Sequence, residues 1–225
     1  MILKRTVVLF TDSERSAYKC GMPKRSQQAT RDTRTDILKR ALDLASIDGL
    51  SGVTIGRLSD SISMSKSGLF AHFGSKEDLQ MAIVDAAAEA FEKAVVGEER
   101  AHAGGLPRLV EVAEAWIRYL EKGPFRGGCF FAAVSPEIDD RPGRVRDRVV
   151  ELTRGWLAIL EAEAEAAREA GDLGPDADPS QLAFEIHAFV QEANWAFQLH
   201  GDAEAFRRAR RAVRRTLHSA GATTD

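Results

Sequence analysis

From Asp32 to Ser219 the chain reads as one helix after another, an all-α protein in unequal parts. Apolar residues recur there at spacings of three and four, and Gly or Pro interrupts the pattern at helix-length intervals. No strand-like alternation follows Met22. The reading places a small three-helix unit over residues 32–80 and a larger helical unit over 81–219. An N-terminal extension and basic arm over 1–31, for which no ordered element is expected, and a tail over 220–225 complete the chain.

The first helix is marked by Ile37, Leu38, Ala41, Leu42 and Ala45, and "DGLSG" from Asp48 to Gly52 ends it. Thr54 can cap a short second helix with Ile55, Leu58 and Ile62 on its inner side. After a turn at Ser63 and Met64, Ser65 can cap a third helix that buries Leu69 and Phe73. Ser75, with Asp78 three residues later, has the spacing of a capping box and opens a fourth.

In the larger part an amphipathic helix spans Leu106 to Lys122 and stops at "GPFRGG". The stretch "CFFAAVSPEIDDRPG" reads as a short apolar helix and a turn marked by proline. A long helix follows from about Arg144 to Ala170, with Val145, Val149, Leu152, Trp156, Ile159 and Leu160 inward. The next runs from the Pro179 turn to about His200 and is apolar on more than one side: Leu182, Ile186, Phe189, Val190, Ala193 and Phe197 form one stripe, while Phe184, Ala188 and Trp195 lie off it. The last helix opposes Phe206, Ala209, Val213 and Leu217 to Arg207, Arg208, Arg211 and Arg215.

Two short helices joined by a tight turn and packed on a longer one form a helix-turn-helix, the arrangement that lays its second helix in the DNA major groove. Lys66 and Lys76 sharpen the reading. Each directly follows a capping serine, where the positive end of the helix dipole disfavours a cation by ~0.3–1 kcal/mol. A bound phosphate would reverse that sign, since helix N–H groups, dipole and ammonium all favour an anion. Solvated lysines on ordinary helix starts are the competing account.

The segment "TIGRLSDSISMSKSGLFAHFGSKEDL", Thr54 to Leu79, extended back through "TRTDILKRALDLASIDGLSGV", resembles the DNA-binding region of TetR-family transcriptional regulators. The resemblance covers about a quarter of the chain with the family's most specific motif; the rest matches only in helical architecture. It implies an N-terminal helix-turn-helix DNA-binding domain and a larger C-terminal helical ligand-binding and dimerisation domain. The matching DNA-contact positions are Ser65, Lys66, Ser67, Gly68, Phe70, Ala71 and His72 on the third helix, with Thr54 and Lys76 as phosphate anchors at two other helix starts. For His72, a half-exposed helix residue without a partner is the alternative. Two positions depart from the family pattern. Ser63 stands where many members place a turn glycine, at a cost of roughly 1 kcal/mol if φ is positive. Phe70 replaces a tyrosine whose hydroxyl meets phosphate, so it is expected to pack instead.

The resemblance further implies a homodimer reading a palindromic operator, as a repressor released by a small-molecule effector. The last two helices are the candidate interface, with Ile186, Phe189, Phe197, Phe206, Ala209 and Val213 proposed in it; packing of the Phe206 stripe within one chain is the alternative. Intermingled aromatic and polar residues mark an effector cavity with candidates Trp116, Phe125, Cys129, Phe130, Trp156, His187, Gln191, Asn194 and Trp195. An ordinary core is the competing reading for each aromatic, and Cys129 reads first as a small buried hydrophobe.

Composition bounds the function. With 225 residues, 44% hydrophobic, and a net charge of −3, the chain has material for a sizeable core and no strong overall field. The first forty residues nevertheless carry ten Lys or Arg against four acids, and "FRRARRAVRR" closes the chain with a second basic run, read as a solvated face pairing with acids, a nucleic-acid patch being the alternative. Cys20 and Cys129 make no metal spacing and are expected as free thiols in a cytoplasmic protein; no cofactor and no membrane partner is expected. Met22, which opens the basic arm, is a candidate alternative start. The strongest enzyme candidates, Cys129 or Ser135 as nucleophile and Glu137, Asp139 or Asp140 as acids, stand without H-E-x-x-H, P-loop, G-x-S-x-G or dinucleotide fingerprint. The remaining alternative is a helical sensor or interaction protein whose helix-turn-helix no longer binds DNA.

Overall fold

The first helix, α1, runs Lys24–Asp48 and begins eight residues before the expected boundary at Asp32. The chain from Lys24 to Arg31 has no apolar periodicity, the signal that marked the boundary, yet its Lys, Arg, Gln and Ala favour helix and no Gly or Pro interrupts it. Part of the expected arm is therefore helical. The computed structural model describes residues 24–97 and 104–222; Cys20 and Met22 lie outside them. Among the described residues there is no strand, and no helix is long and apolar enough to cross a membrane.

Glycine at Gly49, with φ +69°, ends α1 by donating its N–H to the Ala45 carbonyl at 2.9 Å. Then come α2 (Ile55–Ser61), α3 (Lys66–Phe73) and α4 (Lys76–Phe91), each opened by the expected cap: Thr54 Oγ1 accepts from Arg57 N–H at 3.2 Å, Ser65 Oγ from Gly68 N–H at 3.1 Å, and Ser75 Oγ from Asp78 N–H at 3.0 Å. The Ser75 hydroxyl also donates to Asp78 Oδ2 at 2.6 Å. Between α2 and α3 the backbone turns at Ser63 with φ +54°, the one left-handed residue other than glycine among those described.

A π-helical turn, Glu92–Val96, continues α4. The larger part holds α5 (Leu106–Glu121), α6 (Phe130–Ile138), α7 (Arg144–Ala170), α8 (Pro179–His200) and α9 (Glu204–Ser219). Two apolar cores organise these helices. One gathers Ile37, Ala41, Leu58, Leu69 and Leu79 from α1–α4, with Phe130, Val134 and Val149 from α6 and the start of α7. The other joins α5, the rest of α7, α8 and α9 through Leu109, Trp116, Leu160, Ile186 and Phe206. The helix-turn-helix thus joins the larger part through its neighbours, α1 packing on α6 and α4 on α7. Arg148 on α7 adds an ion pair to Asp85 on α4 at 2.8 Å, and Arg144 pairs with Glu77 at 3.2 Å.

Candidate nucleic-acid interface and effector cavity

Helix α3 buries Leu69 and Phe73 and turns Lys66, Ser67, Phe70 and Ala71 outward on its opposite face. Its eight residues span about 12 Å, a length that fits within a major groove. Gly68 leaves room for the Ser65 cap, since a Cβ there would stand 3.1 Å from Ser65 Oγ. His72 is half-buried. Phe70 is 50% exposed, which corrects the expectation that it packs: the core side of α3 is filled by Leu69 and Phe73, and position 70 falls on the outer face.

The basic anchors flank this face. The Lys66 stem crosses the first turn of α2, where a Cβ on Gly56 would lie 3.5 Å from Lys66 Cε, so Lys66 comes to the helix start that Thr54 caps. Lys76 stands beyond the other end of α3, exposed on the first turn of α4. Glu77 and Asp78 share that turn and already offset the unfavourable placement of Lys76, while Arg144 neutralises part of their charge. The caps leave the earliest N–H groups of α3 and α4 facing outward, which makes both starts suited to phosphate oxygens.

Arg34 is a positioning residue for which the sequence offers no distinguishing signal, being one of ten basic residues near the N-terminus. Its Nη1 donates to the His72 carbonyl at 2.6 Å and its guanidinium lies 4.3 Å from the Phe73 ring centroid, which fastens the end of α3 to α1.

In the larger part a cavity of about 50 Å³ lies among α4, α5, α7 and α8. Five of the candidate residues line it: Trp116, Cys129, Trp156, His187 and Gln191. Phe91, Glu92 and Val96 at the end of α4 and its π-helical turn, Phe131, and Leu152 and Thr153 on α7 complete most of the wall. Aromatic rings meet edge to face, Phe91 with Trp156 at 4.9 Å and Trp116 with Trp156 at 5.1 Å between centroids, and the His187 ring lies 5.3 Å from that of Trp116. Burial pushes the His187 imidazole below its ordinary value and the Cys129 thiol above its own. Burial, then the charge of Glu89, raises the Glu92 carboxyl. The Glu92 side of the cavity escaped the sequence reading because a π-helical turn leaves no periodic signature.

Four candidates do not line this cavity. Phe130 is buried in the core shared with the helix-turn-helix, and Phe125 packs partly against the same core. Asn194 is buried with its Oδ1 3.4 Å from the Cys129 N–H, and together with Trp195 it lines an adjoining open groove of about 510 Å³ that shares Cys129 and Gln191 with the cavity. Trp195 points out of the fold, 53% exposed.

The candidate interface residues lie mostly on the inward sides of α8 and α9. Ile186, Phe206, Ala209 and Val213 are buried between α8, α9 and their neighbours within one chain, and Phe189 and Phe197 are half-buried against the same core. The Phe197 and Phe206 rings meet at 5.1 Å. The inward stripes of both helices share one core with α5 and α7. What stays outside is the second side of α8: Phe184 is 66% exposed and Leu199 61%, in line with Trp195. On α9, Arg210 pairs with Glu114 at 3.0 Å and Glu121 at 2.9 Å, and Arg208 with Asp202 at 2.5 Å, so part of the arginine run pairs with acids as expected.

Comparison with known proteins agrees with this geometry. Residues 37–82 match the family described as "Bacterial regulatory proteins, tetR family", and residues 105–213 match "Tetracyclin repressor-like, C-terminal domain". The HTH-type transcriptional regulator TcmR of Streptomyces glaucescens is 25% identical over 201 residues, 87% of either chain. A TetR transcriptional regulator from Chloroflexus aurantiacus superposes with a TM-score of 0.75 at 24% identity, covering 83% of this chain and 94% of its own. AibR, solved in complex with isovaleryl coenzyme A and operator DNA, has a TM-score of 0.67 at 22% identity over 81% of this chain and 97% of its own.

Proposed function

The chain belongs to the TetR family of DNA-binding transcriptional regulators, and from that premise we propose that it is a cytoplasmic repressor. It holds a palindromic operator as a homodimer and releases it when a small molecule fills the cavity of the larger domain. One observation carries the proposal: α4 begins at Lys76 beside the reading helix and ends at Phe91 and Glu92 in the cavity wall. Its 16 residues span about 24 Å, so a displacement at one end tilts the other. An effector that prefers the tilted arrangement shifts the population away from the operator-binding state.

Exposure of Lys66, Ser67, Phe70 and Ala71 on one face of α3 supports DNA reading over a helix-turn-helix that has lost it. The outer side of α8 supports dimerisation, since three large apolar residues there stay more than half exposed among the described residues. The fold neighbour AibR carries its operator and its ligand together in one structure, a precedent for both binding events on this architecture.

Selection of binding sequences from a random DNA pool by the purified protein tests the reading. An enriched palindrome, bound less tightly as salt rises, is the expected result. A dimer that enriches no sequence overturns it.

A further inference from the structure

Four buried side-chain oxygen or nitrogen atoms among the described residues lack a hydrogen-bond partner, and three belong to residues that line one cavity: Nε1 of Trp116, Nε1 of Trp156 and Oε1 of Gln191. Native proteins pair nearly all such atoms, and an exception calls for an explanation. Two donors and one acceptor concentrated around a single space point to a guest that supplies the complement. Resting on the effector reading above, we propose that the ligand is an uncharged aromatic compound of one or two rings bearing a carbonyl oxygen and a hydroxyl group. The carbonyl accepts from the indole N–H groups of Trp116 and Trp156, and the hydroxyl donates to Gln191 Oε1.

The walls select the ring. Phe91, Trp116 and Trp156 already meet one another edge to face, and a flat aromatic guest continues that packing. Charge is selected against. Among the described residues no Lys or Arg lines the cavity, so a carboxylate or phosphate would lose its hydration with no cation to receive it. The titratable lining groups are Glu92, Cys129 and His187, and burial moves each towards its neutral form. Size is limited by the free volume of about 50 Å³, below what one ring needs, so entry widens the site. The π-helical turn is the lining element with the least regular backbone: Gly97 N–H reaches back five residues to the Glu92 carbonyl at 2.9 Å.

The test is calorimetric titration of the full chain with 6-acetyl-2-naphthol, naphthalene and 2-naphthoate, repeated on Trp156→Phe, Trp116→Phe and Gln191→Leu. The acetylnaphthol is expected to bind one per chain and to lose about tenfold in each variant, the worth of one hydrogen bond. Naphthalene should bind more weakly and equally to all four proteins. Gln191→Leu, on a half-buried position, keeps the test open where a tryptophan variant fails to fold. Equal affinity for naphthalene, tighter binding of the naphthoate, or no binding of any probe overturns the proposed class. Operator binding measured alongside separates the two readings: acetylnaphthol bound as predicted without loss of operator affinity supports the class and overturns the effector role, whereas operator release by the naphthoate alone supports the effector role and overturns the class.

Discussion

The backbone N–H of Ser51 and its hydroxyl both donate to Oε1 of Glu137, the N–H at 2.8 Å, joining the loop before the reading helices to α6 across 86 residues of sequence. Arg141 approaches the same oxygen at 3.7 Å, and Gly49 lies so close that a Cβ there would stand 2.1 Å from Oε2. A carboxylate only 17% exposed therefore fixes how the helix-turn-helix sits on the larger domain. Glu137→Ala removes the acceptor and is expected to lower stability by about 1–2 kcal/mol, reduced from the full value of a charged hydrogen bond because Ser51 is exposed. Thermal unfolding followed by circular dichroism should show a fall in Tm of roughly 2–8 °C. An unshifted Tm would show that the bond adds nothing to the domain contact.

The two helix-start lysines carry the DNA prediction. Lys66→Ala and Lys76→Ala should each weaken operator binding and each reduce the slope of log affinity against log salt by about 0.9, one phosphate contact apiece. Glu77 and Asp78 on the same turn as Lys76 make the second effect the smaller one. Fluorescence anisotropy at several salt concentrations reads both numbers. Slopes equal to wild type would remove these lysines from the interface.

Serine at position 63 holds the left-handed turn at φ +54°, so the helix-turn-helix keeps its geometry at a backbone cost. Ser63→Gly removes that cost and should stabilise the protein by up to ~1 kcal/mol, less what glycine loses in chain entropy. A rise of about 1–3 °C in Tm with operator affinity unchanged is expected. A lower Tm would mean that the serine side chain holds the turn in a way its backbone angle does not show.

Caps and periodicity made the helices legible, because Thr54, Ser65, Ser75 and the glycine after Asp48 act within a few residues of where they stand. The outer face of α3 was equally legible, since Leu69 and Phe73 fix which side is buried. Faces of α8 and α9 were not. An apolar stripe states only that something covers it, and Phe206 and Ile186 are buried in one core within the chain while Trp195 and Phe184 remain outside. The cavity was half legible for a similar reason: Trp116, Trp156 and His187 stand out by type, whereas Phe91, Glu92 and Thr153 join them only because α4 ends in a π-helical turn against α7.

Protonation of the cavity wall gives stability a pH dependence with two opposed parts. Burial lowers the His187 pKa below 6.5, so the unfolded chain takes up this proton first and stability falls as pH drops below that value; above it His187 contributes no slope. Glu92 has the opposite sign, because its raised pKa keeps a proton on the folded form and stability falls as pH rises from about 4.5. Urea unfolding at pH 7, 6 and 5 should therefore show a smaller acid loss in His187→Gln than in wild type. An identical loss in the two proteins would assign the acid sensitivity elsewhere.

The proposed dimer separates two sides of the same helices. Phe184 and Leu199 project from the outer side of α8, so Phe184→Glu with Leu199→Glu should yield a monomer in sedimentation velocity while helicity and the chain's own core persist. A monomer presents one reading head, and operator affinity should fall by orders of magnitude as the second head's contacts are lost. Phe206 makes the contrast. It is fully buried against α8, and Phe206→Ala should cost about 3–5 kcal/mol of stability without singling out the subunit contact. A dimer that survives both glutamates but dissociates, still folded, in Phe206→Ala would return the interface to the inward stripe, against the burial that assigns it to the core.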